Sequence, residues 1–321
     1  MSHAVAILAA ATCLVAVQPG PLATASPAAG RGSGPTLAAL APAPGPTNGA
    51  DDARRAIAIG GGGELYEPDG NGAWSHRRSL STASTITAAG RAGGAVIAIG
   101  DGVLYRLAGN GWSAIRLVQH GKAILGEGTR ALAAVGRQLF ALDALTLGEP
   151  VRIAQAAAPI IAIGAGPTAA VVATDTGLFR LAGARLAPLR LTVSLDHPRL
   201  ITDRWAIVAG GAVDLATGRL TPWPAGLAIA SASPGPGGAL AAVATGPAGL
   251  ELVTVAAGKL ARDPLGITGT PVGVIVDRAG RAAVALSDGR IAVRGPTGWT
   301  VTTVTDAPAP DHPGPAPAAS G

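Results

Sequence analysis

Lysine is nearly missing from this chain: of 24 basic residues, only Lys122 and Lys259 are lysines. Charged residues of both signs make up 13% of the sequence, about half the share of an ordinary soluble domain. With Glu and Lys this scarce, a helical repeat is not expected. Cysteine occurs once, at Cys13, inside an N-terminal apolar run. If that run is removed by cleavage after Ala25, no thiol and no disulfide framework remain. Lipid attachment at Cys13 would need cleavage just before it, and Ala10-Ala11-Thr12 lacks the large aliphatic residue expected three positions upstream. Past residue 25 the histidines are His76, His120, His197 and His312, none at the spacing of a metal-binding pair. No cofactor, no metal site and no catalytic constellation is expected.

Other absences narrow the reading further. The net charge of +5 comes from scattered arginines, without a basic helix or an aromatic-basic platform, so no nucleic-acid partner is expected. Gly60-Gly61-Gly62-Gly63 is not a phosphate loop, because no helix, Lys or Ser/Thr follows it as one requires. Asp69-Gly70-Asn71-Gly72 lacks the spaced oxygen ligands of a calcium loop and reads as a hairpin turn. The apolar stretch 156–173 is broken by Pro159, Gly164, Gly166 and Pro167, which fits two strands rather than a membrane span.

The ends carry their own signals. Ala4 to Val17 is an almost unbroken apolar run, and Ala23-Thr24-Ala25 fits a small-x-small cleavage site. Residues 1–25 are therefore expected to be an export signal, although no Lys or Arg precedes the run. Residues 26–35 read as a Pro/Ala/Gly-rich linker, and 306–321 as a disordered Pro/Ala-rich tail. The expected location is secreted, periplasmic or cell-surface.

Between the ends lies a repeat. Ile97-Ala98-Ile99-Gly100-Asp101-Gly102-Val103-Leu104-Tyr105-Arg106-Leu107 and Val172-Ala173-Thr174-Asp175-Thr176-Gly177-Leu178-Phe179-Arg180-Leu181 are its clearest copies. Taking Leu104 and Leu178 as markers, weaker copies place it at Leu65, Leu139, Val213, Leu252 and Ile291. The seven markers are spaced 39, 35, 39, 35, 39 and 39 residues apart. Each unit divides into four short strands; in the fourth these are 160–163, 169–173, 178–181 and 189–193. In the second unit Asn110-Gly111 is a favoured hairpin dipeptide for joining the last two strands. Strands such as Ala-Ile-Ala-Ile at 56–59 are apolar on both faces, as doubly covered strands must be.

The few aromatic residues keep the same register. Tyr66, Tyr105, Phe140 and Phe179 all follow the marker by one residue, and blades five to seven put Asp214, Val253 and Ala292 there. Trp74, Trp112 and Trp299 open the fourth strand of their units. Four strands per unit of about 40 residues is the spacing of propeller blades. The expected fold is all-β, a seven-bladed β-propeller of four-stranded antiparallel blades over residues 36–305. Residues 36–40 would supply the first strand of blade one and 299–305 the last of blade seven, closing the ring without strand exchange; alternatively the first strand is missing and the ring is imperfect.

The units resemble those of the bacterial exported β-propeller superfamily with WD40-like, YVTN-like and quinoprotein-like repeats. Gln138-Leu139-Phe140-Ala141-Leu142-Asp143-Ala144-Leu145-Thr146-Leu147-Gly148 is similar to the quinoprotein-type repeat but lacks its final Trp. The resemblance implies an architecture, not a single family, and assigns no catalytic residue.

In a propeller the loops entering each blade and the hairpins joining strands two and three share the face around the channel mouth. That places Asp101, His120, Asp175, Asp196, His197 and Asp288 together as candidate ligand-binding residues. Asp beside Gly is ordinary turn chemistry, and that is the stronger reading of these acids. The leading expectation is a non-catalytic binding or scaffold protein outside the cytoplasm, whose partner is an envelope or extracellular protein or a polysaccharide. The alternatives are a hydrolase, lactonase or lyase with a channel-mouth site, and a lectin-like sugar binder that would need Trp74, Trp112 and Trp299 exposed.

Overall fold

A computed structural model describes residues 35–308 apart from 43–55, 69–72, 80–85, 87, 93–94, 101–102, 109–110, 117–122, 127–130, 143–149, 166–169, 192–197, 199 and 278. The strands follow the repeat. Blade one has Leu37–Pro42, Ala56–Gly60, Glu64–Pro68 and Trp74–Ser79 (β1–β4). Blade two has Ala88–Ala92, Ala95–Gly100, Val103–Ala108 and Gly111–Arg116 (β5–β8). Blade three has Ala123–Gly126, Ala131–Val135, Gln138–Leu142 and Val151–Gln155 (β9–β12). Blade four has Ile160–Ala165, Ala170–Thr174, Gly177–Ala182 and Arg185–Pro188 (β13–β16). Blade five has Leu200–Ile201, Trp205–Val208, Gly211–Asp214 and Leu220–Pro222 (β17–β20). Blade six has Ala228–Pro234, Leu240–Gly246, Gly249–Ala256 and Lys259–Pro264 (β21–β24). Blade seven has Pro271–Val276, Ala282–Leu286, Arg290–Gly295 and Gly298–Thr303 (β25–β28). A final strand, Thr305–Pro308 (β29), joins blade one.

Each blade is an antiparallel meander, and the first strand of every blade touches the first strands of its two neighbours, so these strands line the axis of a closed ring. The fold is the expected seven-bladed propeller. The apolar stretch 156–173 is divided between β13 and β14, and among the described residues no helix is long and apolar enough to cross a membrane.

No blade has a core of its own. Ala56, Ala58, Tyr66 and Trp74 pack with Ile275, Ala283, Ala285 and Ile291 of blade seven, whereas Ile57, Ile59 and Leu65 pack with Ile86, Ala89, Val96 and Ala98 of blade two. Alternation along the strand thus sends one set to each neighbour. This gives the repeat its meaning. The marker faces the following blade (Leu65, Leu139, Leu178) and the aromatic faces the preceding one (Tyr66, Tyr105). Opposite Tyr66, Tyr105 and Phe140 on the second strand stand Ala58, Ala98 and Ala133, small residues that leave room for the ring beside them.

Register corrects several sequence boundaries. In blades two to four the marker is the residue after the pair that closes the hairpin, as in Thr174↔Gly177. Blades five and six close at Val208↔Gly211 and Gly246↔Gly249, so their markers are Ala212 and Leu250 rather than Val213 and Leu252. Their aromatic positions are then Val213 and Glu251. The fourth strand of blade four is Arg185–Pro188 rather than 189–193, because Gly183, at φ 61, turns the chain earlier. In blade two Ala108 pairs with Gly111, so the connecting residues are Gly109-Asn110, outside the described residues.

The ring closes with the first strand of blade one and the last of blade seven where they were expected, and with one strand more. Each blade keeps four strands of its own, but the chain then crosses the seam. Val304 is buried in the cluster between blades seven and one, and β29 pairs in parallel with the outer edge of β4, Thr305 opposite Ser75. An edge strand with free N–H and C=O groups invites pairing, and β29 covers this one. On the inner side Gly273 makes the close approach: a Cβ there would lie 2.8 Å from the Cβ of Leu40. Gly273→Ala is therefore expected to cost about 1–3 kcal/mol by overpacking the seam, read as a lower midpoint in denaturant unfolding. Gly61→Ala, whose Cβ enters open space, should be near neutral.

Candidate functional site

Successive antiparallel strands send alternate loops to opposite ends of a blade. The hairpins joining strands two and three share one face with the connections between blades, as Leu37 N–H bonding to the Ser287 carbonyl (3.2 Å) illustrates. Of the six candidates for that face, Asp101, His120, Asp196 and His197 lie outside the described residues. The other two, Asp175 and Asp288, occupy hairpins of blades four and seven and are not brought together.

Asp175 is exposed in the turn after Thr174, whose buried hydroxyl accepts the Thr176 N–H at 3.2 Å. Asp288 is committed to Arg290, accepting from Nε at 2.9 Å and Nη2 at 2.6 Å. Those bonds hold its carboxyl below the usual range. Arg290 Nη2 also donates to the Thr268 carbonyl at 2.7 Å, tying the hairpin to the connection from blade six.

Other sequence candidates also prove structural. His76 stands on the outer strand of blade one, its ring edge-on to Tyr66 at 5.7 Å. Trp74 is buried and so cannot present a sugar-stacking face, which removes one of the three rings the lectin reading needs. Trp299 is half-buried and its Nε1 donates to Asp263 at 3.2 Å; the side chain of Trp112 lies outside the described residues.

The polar cluster that does assemble lies on the opposite face, between blades five and six. Arg204, Trp205, Asp214, Thr217, Arg219, Thr221, Ala257 and Gly258 line a cleft of about 180 Å³. Thr202 shapes its base by accepting the Arg204 and Trp205 N–H groups, and Trp205 Nε1 donates to the Gly238 carbonyl of blade six at 2.9 Å. Arg204 lies over the Trp205 ring, 5.7 Å from its centroid, and donates Nη2 to Asp214 at 3.0 Å. Although burial works against ionisation of Asp214, the Arg204 bond and the Ala216 N–H outweigh it and lower its pKa. Asp203, half-buried beside them, is pushed up by burial.

Sequence reading passed over this cluster. One signal was available: Trp205 opens the second strand of its blade, where five of the other six open on alanine. The Arg219 and Gly258 contact across the blade boundary had none.

Blade six also holds an ion pair with a buried carboxylate. Glu251 occupies the position that carries an aromatic in blades one to four, and is 2% exposed. Arg262 meets it with two parallel bonds, 2.5 Å from Nε and 2.6 Å from Nη2.

No family model matches the chain, and no curated protein matches it in sequence. Solved structures do. The WD40 propeller domain of Doa1 superposes at TM-score 0.58 with 12% identity, covering 84% of this chain and 94% of that one. Virginiamycin B lyase from Staphylococcus aureus does so at 0.59 and 13%, covering 84% and 95%. YCF48 bound to a D1 peptide does so at 0.54 and 16%, covering 85% and 95%. The chain is a propeller of this general kind. At such identities the likeness establishes the fold and no particular family within it.

The Arg262 bonds hold the Glu251 carboxyl below its ordinary range. A carboxyl lowered on folding stabilises the native state above its unfolded value, and that contribution fades as pH falls through the folded value. Glu251→Gln should therefore lower Tm at neutral pH, with the gap from the parent chain shrinking between about pH 5 and pH 3. Thermal unfolding of both chains across that range checks it.

Proposed function

We propose that this chain is a non-catalytic binding or scaffold protein acting outside the cytoplasm, contacting its partner through the hairpin face of the ring. The observation that carries the reading is the engagement of its carboxylates. Asp214, Glu251, Asp263, Asp277 and Asp288 each hold an arginine side chain, within a blade or across a blade boundary. Carboxylates neutralised in this way brace turns and interfaces; a general base or metal ligand needs one free to meet substrate. Among the described residues no three His, Cys, Asp or Glu side chains gather to hold a metal ion.

Precedent supports a binding role. The ring resembles YCF48, which has been solved with a peptide, and the loops of a rigid scaffold are free to vary. Asp101, His120, Asp175, Asp196 and His197 are the residues we assign to this contact, with Asp288 present as half of an ion pair. The N-terminal apolar run and its small-x-small site support export, and the partner class is an envelope or extracellular protein or a polysaccharide.

The test combines location, capture and turnover. The tagged chain, expressed in its native host, should begin at Ser26 and be recovered from the envelope or medium. A cross-linked partner should be lost about tenfold on charge reversal at Asp175→Arg with Arg137→Glu, both exposed hairpin residues. An intact N-terminus in the cytoplasm, or consumption of virginiamycin B by the purified ring, would overturn the reading.

A further inference from the structure

The cleft between blades five and six carries an unbalanced charge. Two guanidinium groups, Arg204 and Arg219, line it against the single carboxylate of Asp214. That carboxylate is already taken: Arg204 Nη2 occupies one oxygen and the Ala216 N–H the other, at 3.0 and 2.9 Å. Arg219 has no carboxylate partner among the described residues. Arg204 keeps a second unused donor, a buried Nε without a hydrogen-bond partner.

The remaining lining suits the same kind of guest. Thr217 Oγ1 accepts the Arg219 N–H at 3.3 Å, which leaves its own O–H free to donate into the cleft. Trp205 and Ala257 supply apolar wall, against which a charge interaction is stronger than in open water. The Arg219 guanidinium rests on Gly258, where a Cβ would stand 2.9 Å from its central carbon. Gly258 is also the second residue of the two-residue turn Ala257-Gly258, at φ 73, so glycine serves both the turn and the arginine.

Size narrows the class. A cleft of about 180 Å³ falls below the roughly 300–1,000 Å³ of sites that enclose whole small molecules. It exceeds the ~30 Å³ share of one water several-fold. A cleft of that size seats one small group and does not enclose a whole nucleotide or oligosaccharide.

We infer that this cleft binds a single oxyanion, a carboxylate or phosphate-type group, with Arg219 as its principal cation and Arg204 and Thr217 as further donors. The inference goes beyond the binding reading above: the site lies on the opposite face and stands whatever the hairpin loops engage.

The test uses the full chain at constant ionic strength, with sodium chloride replaced stepwise by sodium phosphate in one arm and sodium acetate in the other. Tm should rise with anion concentration in at least one arm, as mass action requires. A phosphate-only response identifies a tetrahedral oxyanion and an acetate-only response a carboxylate; either supports the site. Phosphate also stabilises folded proteins by exclusion, so the reading is the difference from Arg219→Gln. That variant should raise the half-saturating concentration about tenfold, as expected for losing one charged hydrogen-bond donor. Arg219→Lys should retain part of the response. If Arg219→Gln does not fold, Thr217→Val should still weaken the response. No anion-dependent shift in either arm of the parent chain, or a shift unchanged in the variants, overturns the inference.

Discussion

Everything in this molecule depends on burying both faces of each blade against its neighbours. The second strands are apolar on both faces and make no private core. Ala56 and Ala58 turn to blade seven while Ile57 and Ile59, alternating with them, turn to blade two. A blade taken alone would expose both sets, and at ~25 cal/mol per Å² of apolar surface that exposure is prohibitive. The ring must therefore close, and the last described residues serve to close it. Val304 fills the seam and β29 covers the outer edge of β4. The abundance of alanine follows from the same constraint, since blades converge toward the axis and the ring positions of Tyr66, Tyr105 and Phe140 need small residues beside them.

Charge is handled as sparingly as the composition requires. Arg204, Arg262, Arg281, Arg290 and Arg294 each meet a carboxylate. Arg262 neutralises Glu251 where an aromatic is replaced, and Arg294 meets Asp263 between blades six and seven at 2.6 Å. Arg281 closes the turn at Asp277, whose side chain is fully buried. Arg219 has no carboxylate partner among the described residues and lines the cleft beside Arg204.

The propeller was legible because its signals were redundant. Marker spacing, aromatic register and the Gly/Pro punctuation all pointed to the same seven units. Phase was lost in blade five because Ala212 and Val213 are adjacent apolar residues, and in blade six because Leu250 and Leu252 share one face, and only the hairpin pairing decides between them. The fourth strand of blade four was misplaced because Leu189-Arg190-Leu191 reads as a strand by pattern, while Gly183 supplies the earlier turn. Candidate sites were less legible. Hairpin acids are visible in any repeat, but Asp288 turns out to serve Arg290, and the cleft is made by residues from two blades that no local window joins.

Ring closure is the claim on which the rest stands, and one cross-link tests it. In a chain with Cys13→Ser, the pair Ser75→Cys and Thr305→Cys places two thiols at register partners from opposite ends of the propeller. Under mild oxidation a closed ring predicts a monomeric, intramolecular disulfide with raised Tm. Failure to cross-link, or cross-linking only between molecules, would contradict a ring closed by β29 on blade one.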